Sequence, residues 1–161
     1  MSEEVHIGAL IKKKMDGDGR KVTWLAEKTA LSRSQIYRMY KQQYIAVNQL
    51  VSINIHLEAD FFACYSEYLR QQAQWLEKPE YTGGKIHIGA LIKEQVGKGG
   101  YKVAWLADKM RCSESNIYRI FDKQYIDIEL LTRFCIHLKT DFFACYSEYV
   151  RRQIREKYDK I

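Results

Sequence analysis

The sequence repeats itself. Residues 5–72 align without a gap onto residues 86–153 at a constant offset of 81, and 37 of the 68 aligned positions are identical. HIGALIK stands at His6–Lys12 and again at His87–Lys93, and DFFACYSEY at Asp60–Tyr68 and again at Asp141–Tyr149. A period of 81 exceeds the roughly 20–50 residues of solenoid repeats, so each copy is the size of a small domain. The expected organisation is a first unit over 1–72, a linker over 73–85, a second unit over 86–153 and a basic C-terminal tail over 154–161. At about 70 residues each unit buries a modest core, and packing of one unit on the other would add to it.

The chain carries a net charge of +6, with 11 basic and 10 acidic residues over 1–80 against 15 and 10 over 81–161. The excess therefore lies mostly in the second half. It is compatible with a nucleic-acid partner, although a solvated surface shows the same balance. Cys64, Cys112, Cys135 and Cys145 contain no C-x-x-C pair, so reduced thiols are expected rather than a zinc site. No secretory leader and no apolar run near 20 residues is legible, and the expectation is a soluble, cytoplasmic protein with no membrane partner.

Apolar spacing predicts an all-α fold with five helices per copy. In the first copy they cover His6–Met15, Val22–Thr29, Arg33–Tyr40, Val47–Leu57 and a fifth, aromatic-rich helix capped by Asp60, with Asp141 its equivalent. Asp16-Gly17-Asp18-Gly19 and Gly97-Lys98-Gly99-Gly100 are expected to stop the first helix of each copy. Ser32 is a natural N-cap, and Gln35 three residues on completes a possible capping box; Ser113 caps the equivalent helix, with Asn116 in the box position. Asp127 caps the fourth helix of the second copy, whereas Ala46 is a poor cap, so the first copy's fourth helix is expected to fray more. The 13-residue linker Ala73–Lys85 can span about 40 Å and by itself fixes no arrangement of the copies.

Two short helices joined by a three-residue turn form a helix-turn-helix. Leu25-Ala26, then small Ala30, apolar Leu31, capping Ser32 and Ile36 each have a steric part in that crossing. With Trp-Leu-Ala, Ser-x-x-x-Ile-Tyr-Arg and the terminal Asp-Phe-Phe-x-x-Tyr-Ser present in both copies, the chain resembles a tandem duplication of λ-repressor-like helix-turn-helix domains of the Xre family, bacterial transcriptional regulators. The resemblance covers nearly all of both copies. It implies two tandem five-helix domains with double-stranded DNA as partner. It also implies base-reading residues at Arg33, Ser34, Gln35 and Arg38, and at Glu114, Ser115, Asn116 and Arg119. Their chemistry suits base edges, since Arg pairs with guanine, Gln or Asn with adenine, and Glu accepts from cytosine. Lys21, Tyr37, Lys41 and Tyr44, with Lys102, Tyr118, Lys123 and Tyr125, would meet the phosphates.

Other readings stand beside these. Arg38 and Arg119 could pair with surface acids, and Tyr37 and Tyr118 could be packing residues. Arg111 occupies a turn position that often holds glycine, which suggests a relaxed turn or a residue recruited to phosphate. Glu114 and Asp122 put negative charge on the second copy's face. Phe61, Phe62 and Tyr65, with Phe142, Phe143 and Tyr146, either join the copies as an intramolecular pseudo-dimer or homodimer, or close each copy's own core. The basic run Arg151-Arg152-x-x-Arg155-x-Lys157 reads as a solvated helix end, with contact to DNA as the alternative. No catalytic constellation, metal cluster, cofactor motif or small-molecule site is expected, and His6, His56, His87 and His137 lack ligand spacing within a copy. The competing function is a protein-interaction module, antitoxin-like or scaffold, on the same fold.

Overall fold

The computed structural model describes residues 4–73 and 75–160; residues 1–3 of the expected first unit, Gln74 of the linker and Ile161 of the tail lie outside them. The described residues hold ten α-helices and no named strand, so the fold is all-α. The first copy supplies α1 (Ile7–Gly17), α2 (Val22–Thr29), α3 (Arg33–Tyr40), α4 (Val47–Leu57) and α5 (Phe62–Gln72). The second supplies α6 (Ile88–Lys98), α7 (Val103–Met110), α8 (Glu114–Phe121), α9 (Ile128–Leu138) and α10 (Phe143–Asp159).

The repeated HIGALIK motif has three local purposes. His6 and His87 are N-caps, their Nδ1 atoms accepting from the Ala9 and Ala90 amides at 3.1 Å. Ile7 and Ile11, like Ile88 and Ile92, are fully buried. Gly8 and Gly89 let α1 and α6 touch backbone: a Cβ on Gly8 would lie 2.5 Å from the Tyr40 carbonyl oxygen, and one on Gly89 2.6 Å from the Phe121 carbonyl carbon. The first helix of each copy thereby docks on the loop leaving the third, with Gly8 N–H donating to Gln42 O at 3.0 Å and Gly89 N–H to Lys123 O at 2.9 Å. The expected stop over Asp16-Gly17-Asp18-Gly19 is where α1 ends, two residues past Met15. α1 runs through Gly17, and Gly19, at φ 66°, makes the reversal.

The copies meet along a seam built from equivalent residues. Ala46 and Asp127, 81 apart, form an isolated antiparallel bridge. Phe62 stacks on Tyr146 with ring centroids 5.0 Å apart, Tyr65 on Phe143 at 4.8 Å, and Phe62 faces its own equivalent Phe143 at 6.4 Å. Each contact and its reciprocal obey the offset, which marks an approximate twofold relation between the copies. Stacked pairs of this kind add about 0.5–1.5 kcal/mol each beyond area burial. Both readings of the aromatic motif are partly realised. Phe62, Tyr65, Phe143 and Tyr146 cross the seam, while Phe61 and Phe142 are buried with no ring contact across it among the described residues.

The seam also explains Ala46. The α4 N-terminus has no side-chain cap, but its Val47 amide donates to the Ile126 carbonyl of the other copy at 3.4 Å. A second carboxylate at position 46 would stand directly opposite Asp127, where like charges repel. Asp60 and Asp141 act as expected at the next helix, each accepting from the amide three residues on at 3.2 Å.

Two segments differ from their sequence reading. The linker is docked rather than free: Glu77 N–H donates to Lys139 O at 2.9 Å, Asp141 N–H donates back to Glu77 O at 2.7 Å, and Pro79 is buried. The basic run is a helix end, as expected, since α10 continues to Asp159. Its cations are not all simply solvated. Arg151 meets Asp60 at 2.8 Å, Lys157 meets Glu58 at 3.4 Å, and Tyr158 hydrogen-bonds to Glu58. The Ser147 hydroxyl completes the clasp on Asp60 at 3.0 Å. No helix among the described residues is long and apolar enough to cross a membrane.

Candidate nucleic-acid interface

In each copy the third helix lies against the second and packs its inner face into the core. Ile36 and Met39 are buried on α3, and Ile117 and Ile120 on α8. The turn between the helices is the same in both: Ala30 at φ 59° and Arg111 at φ 55° are both left-handed. Arg111 is therefore not in a relaxed turn. It accepts the strain that L-residues meet there, about 1–2 kcal/mol. Ser32 then starts α3 with its Oγ accepting from Gln35 N–H at 3.1 Å, and the Gln35 side chain accepts from Ser32 N–H at 2.8 Å. Ser113 caps α8 through Asn116 N–H at 3.2 Å without the reciprocal bond.

This start turns a fixed set of side chains outward. Arg33, Ser34, Gln35, Tyr37 and Arg38 are exposed on α3; Glu114, Ser115, Asn116, Tyr118 and Arg119 are exposed on α8. Tyr37 and Tyr118 are 57% and 55% exposed although each meets a neighbour edge-on, Tyr40 at 6.2 Å and Phe121 at 6.0 Å. They are not packing residues of the core. Arg33, Arg38, Arg119, Lys21, Lys41, Lys102 and Lys123 are all exposed, and none takes part in an ion pair among the described residues. The alternative pairing of Arg38 and Arg119 with surface acids therefore does not occur there.

Lys21 and Lys102 sit at the N-caps of α2 and α7, where no side chain caps the first-turn amides. An uncapped helix start beside a cation attracts anions. Beside it the copies diverge. Arg20 lies over the Trp24 ring at 3.9 Å, whereas Tyr101 stacks on Trp105 at 4.8 Å.

Several expected contact residues have other commitments. Gln35 spends its side-chain oxygen on the capping box, so bidentate reading of adenine would break that box. Tyr44 is half-buried in a crevice lined by Val5, Tyr65, Tyr68 and Thr132, and burial raises its hydroxyl pKa; it lies in the seam rather than beside α3. Tyr125, its equivalent, is 42% exposed. Glu114 has a structural reason for being acidic, since it occupies the first turn of α8 and complements the helix dipole. Asp122, at the C-cap of α8, has the opposite polarity from the one the dipole favours.

Sequence reasoning passed over Arg133. Its guanidinium donates to the Met110 carbonyl at 2.8 Å, which ties α9 to the end of α7. The signal available was the change from Ser52 to Arg133 at equivalent positions. The thiols are free, with Cys135 and Cys145 buried and Cys64 and Cys112 half-buried. No group of three potential metal-ligating residues occurs among the described residues. Comparison with protein-family descriptions, curated proteins and solved structures returned no match to this chain.

Proposed function

We propose that the protein is a sequence-specific double-stranded DNA-binding transcriptional regulator. In this reading two λ-repressor-like, Xre-type helix-turn-helix units in one chain act as an intramolecular pseudo-dimer. The observation that carries it is the outward face of α3, recurring on α8. In each copy a serine-capped helix, begun by a left-handed turn, presents an unpaired arginine and an exposed tyrosine while its opposite face is buried. That is the arrangement a helix needs to enter a major groove with its first turns.

The reciprocal seam supports a paired use of the two faces. Six residue steps separate Tyr40 from Ala46 and Phe121 from Asp127, and the two loops meet at the 46–127 bridge. Chain geometry then caps the separation of the C-terminal ends of the two helices at about 48 Å. The roughly 34 Å between successive major grooves falls within that limit. Arg33-Ser34-Gln35 and Glu114-Ser115-Asn116 differ, so the two half-sites are read differently.

The test is selection of bound duplexes from a random pool, followed by affinity measurements across salt concentration. The reading requires an enriched, asymmetric site and a steep loss of affinity with salt. Absence of binding to any duplex at low salt refutes it. That result would favour the protein-interaction reading, which the exposed Glu114 at the start of α8 and Asp122 at its C-cap support.

A further inference from the structure

The second copy contains a concavity that the first copy's residues could not line in the same way. It has a volume of about 360 Å³ and lies between the α7–α8 turn, α8 and the first half of α9. Four cations line it: Arg111, Arg119, Lys123 and Arg133. No acid lines it, and none of the four joins an ion pair among the described residues. Met110, Ile120 and Leu130 supply an apolar wall. At the equivalent positions of the first copy stand Ala30, Arg38, Gln42 and Ser52, so three of the four charges are peculiar to the second.

Unneutralised like charges around one hollow repel one another and cost stability. Such a cluster raises the local positive potential and draws an anion toward it. The Arg133 guanidinium is also held in place by the Met110 carbonyl, so part of the ordering cost of binding is met in advance. The same field reaches His137. Burial lowers its pKa first, and the charges of Arg133 and Lys109 lower it further.

We propose that this concavity is a phosphate-binding site that takes a small phosphorylated molecule, held by Arg111, Arg119, Lys123 and Arg133 with its organic part against the apolar wall. The volume lies within the range of small-ligand pockets. A recessed hollow suits a compact anion better than the convex backbone of a duplex. The site stands independently of DNA binding, although Arg119 and Lys123 belong to both surfaces, so an occupied hollow would compete with DNA for α8.

The experiment is calorimetric titration of the full chain with pyrophosphate at about 0.1 M ionic strength, where the Debye length is about 10 Å, with no DNA present. Saturable binding at one site per chain is expected. The variant Arg111→Ala/Lys123→Gln/Arg133→Ser carries the residues that the first copy already uses and should weaken it by well over tenfold, because each charge-assisted bond is worth about a factor of ten or more. A control that removes the remote cations Lys13, Lys93 and Lys160 should leave binding within about twofold, since exposed charges beyond a Debye length are screened. Amide chemical shifts of the unaltered protein give a second reading: pyrophosphate should perturb residues 110–133 and spare 29–52. Absence of uptake, equal weakening in the control, or equal perturbation of both copies would each overturn the proposal. Duplex binding through these four cations without pyrophosphate uptake would assign them to the DNA backbone and overturn it too.

Discussion

Replacing Gly8 by alanine tests the account of how the first helix fixes the third. The new Cβ would lie 2.5 Å from the Tyr40 carbonyl oxygen, and the neighbour is backbone, not a side chain that can swing away. An ordinary contact needs about 3.5 Å, so α1 must retreat by about 1 Å. The Ile7 N–H to Gln43 O bond is already 3.3 Å and the Gly8 N–H to Gln42 O bond 3.0 Å, so that retreat breaks both. Two lost bonds cost about 1–3 kcal/mol, and loosened packing at Ile7 and Ile11 adds about 1 kcal/mol. Alanine's helix propensity returns about 0.5–1 kcal/mol. The net expectation is a loss of about 1.5–3 kcal/mol, read from urea unfolding followed by circular dichroism. Gly97→Ala is the internal control. It is also helical, but a Cβ there meets nothing within 4 Å. Propensity alone acts on it, so it should gain about 0.5 kcal/mol. A Gly8→Ala protein as stable as the unaltered one, or the two variants moving the same way, would refute the close-contact argument.

Four further outcomes follow from the same geometry. Ala30→Gly and Lys139→Gly, at φ 59° and 51°, should each stabilise the protein by about 0.5–1 kcal/mol in the same unfolding assay, the relief of strain exceeding glycine's unfolded-state cost; destabilisation would contradict it. Burial raises Cys145 to about 12 from 9.0, and moves Cys135, Tyr65 and Tyr146 further upward from 9.0, 10.0 and 10.0. The folded state keeps these protons while the unfolded chain releases them, so the contribution of these four groups is flat below about pH 9. Above it, stability falls by up to about 1.4 kcal/mol per pH unit for each ionising group, and a Tm unchanged to pH 11 would count against the burial described. Ala46→Ser should stabilise α4 by about 0.5–1 kcal/mol as a neutral cap, whereas Ala46→Asp should gain less because it faces Asp127; hydrogen exchange of the α4 amides separates the two, and equal gains would argue against the repulsion. On the DNA-binding reading, Arg38→Ala should cost about 1–3 kcal/mol and relax sequence preference in one half-site only, and symmetric relaxation in a repeat selection would exclude the asymmetric site.

Local order was largely legible in the sequence because its causes are local. The limits of α2, α3 and α4 fall where spacing and caps put them, and the Ser32–Gln35 box forms between residues three apart. The outward set on α3 follows from helical period once Ile36 and Met39 are known to face inward. The Gln35 commitment was already implied by its own capping box, though its consequence for reading adenine was not drawn. The relaxed-turn alternative for Arg111 fails because φ at a turn depends on how two helices close, and an arginine can be forced into a conformation that glycine adopts freely. Tyr44 was misplaced because the residues that cover it, Tyr65 and Thr132, come from other helices and in part from the other copy.

The sequence alone determined that one five-helix pattern is used twice, where its helices begin, and which side chains differ between the copies. Those properties depend on residues within a few positions of one another. The tertiary structure alone decided how the copies meet, why Ala46 needs no carboxylate, where the linker docks, and that α10 reaches back to Asp60 and Glu58. It also decided that Arg111, Arg119, Lys123 and Arg133 surround one hollow. These are contacts between residues up to about a hundred positions apart, and no local preference encodes which distant partner will neutralise, cover or oppose a given side chain.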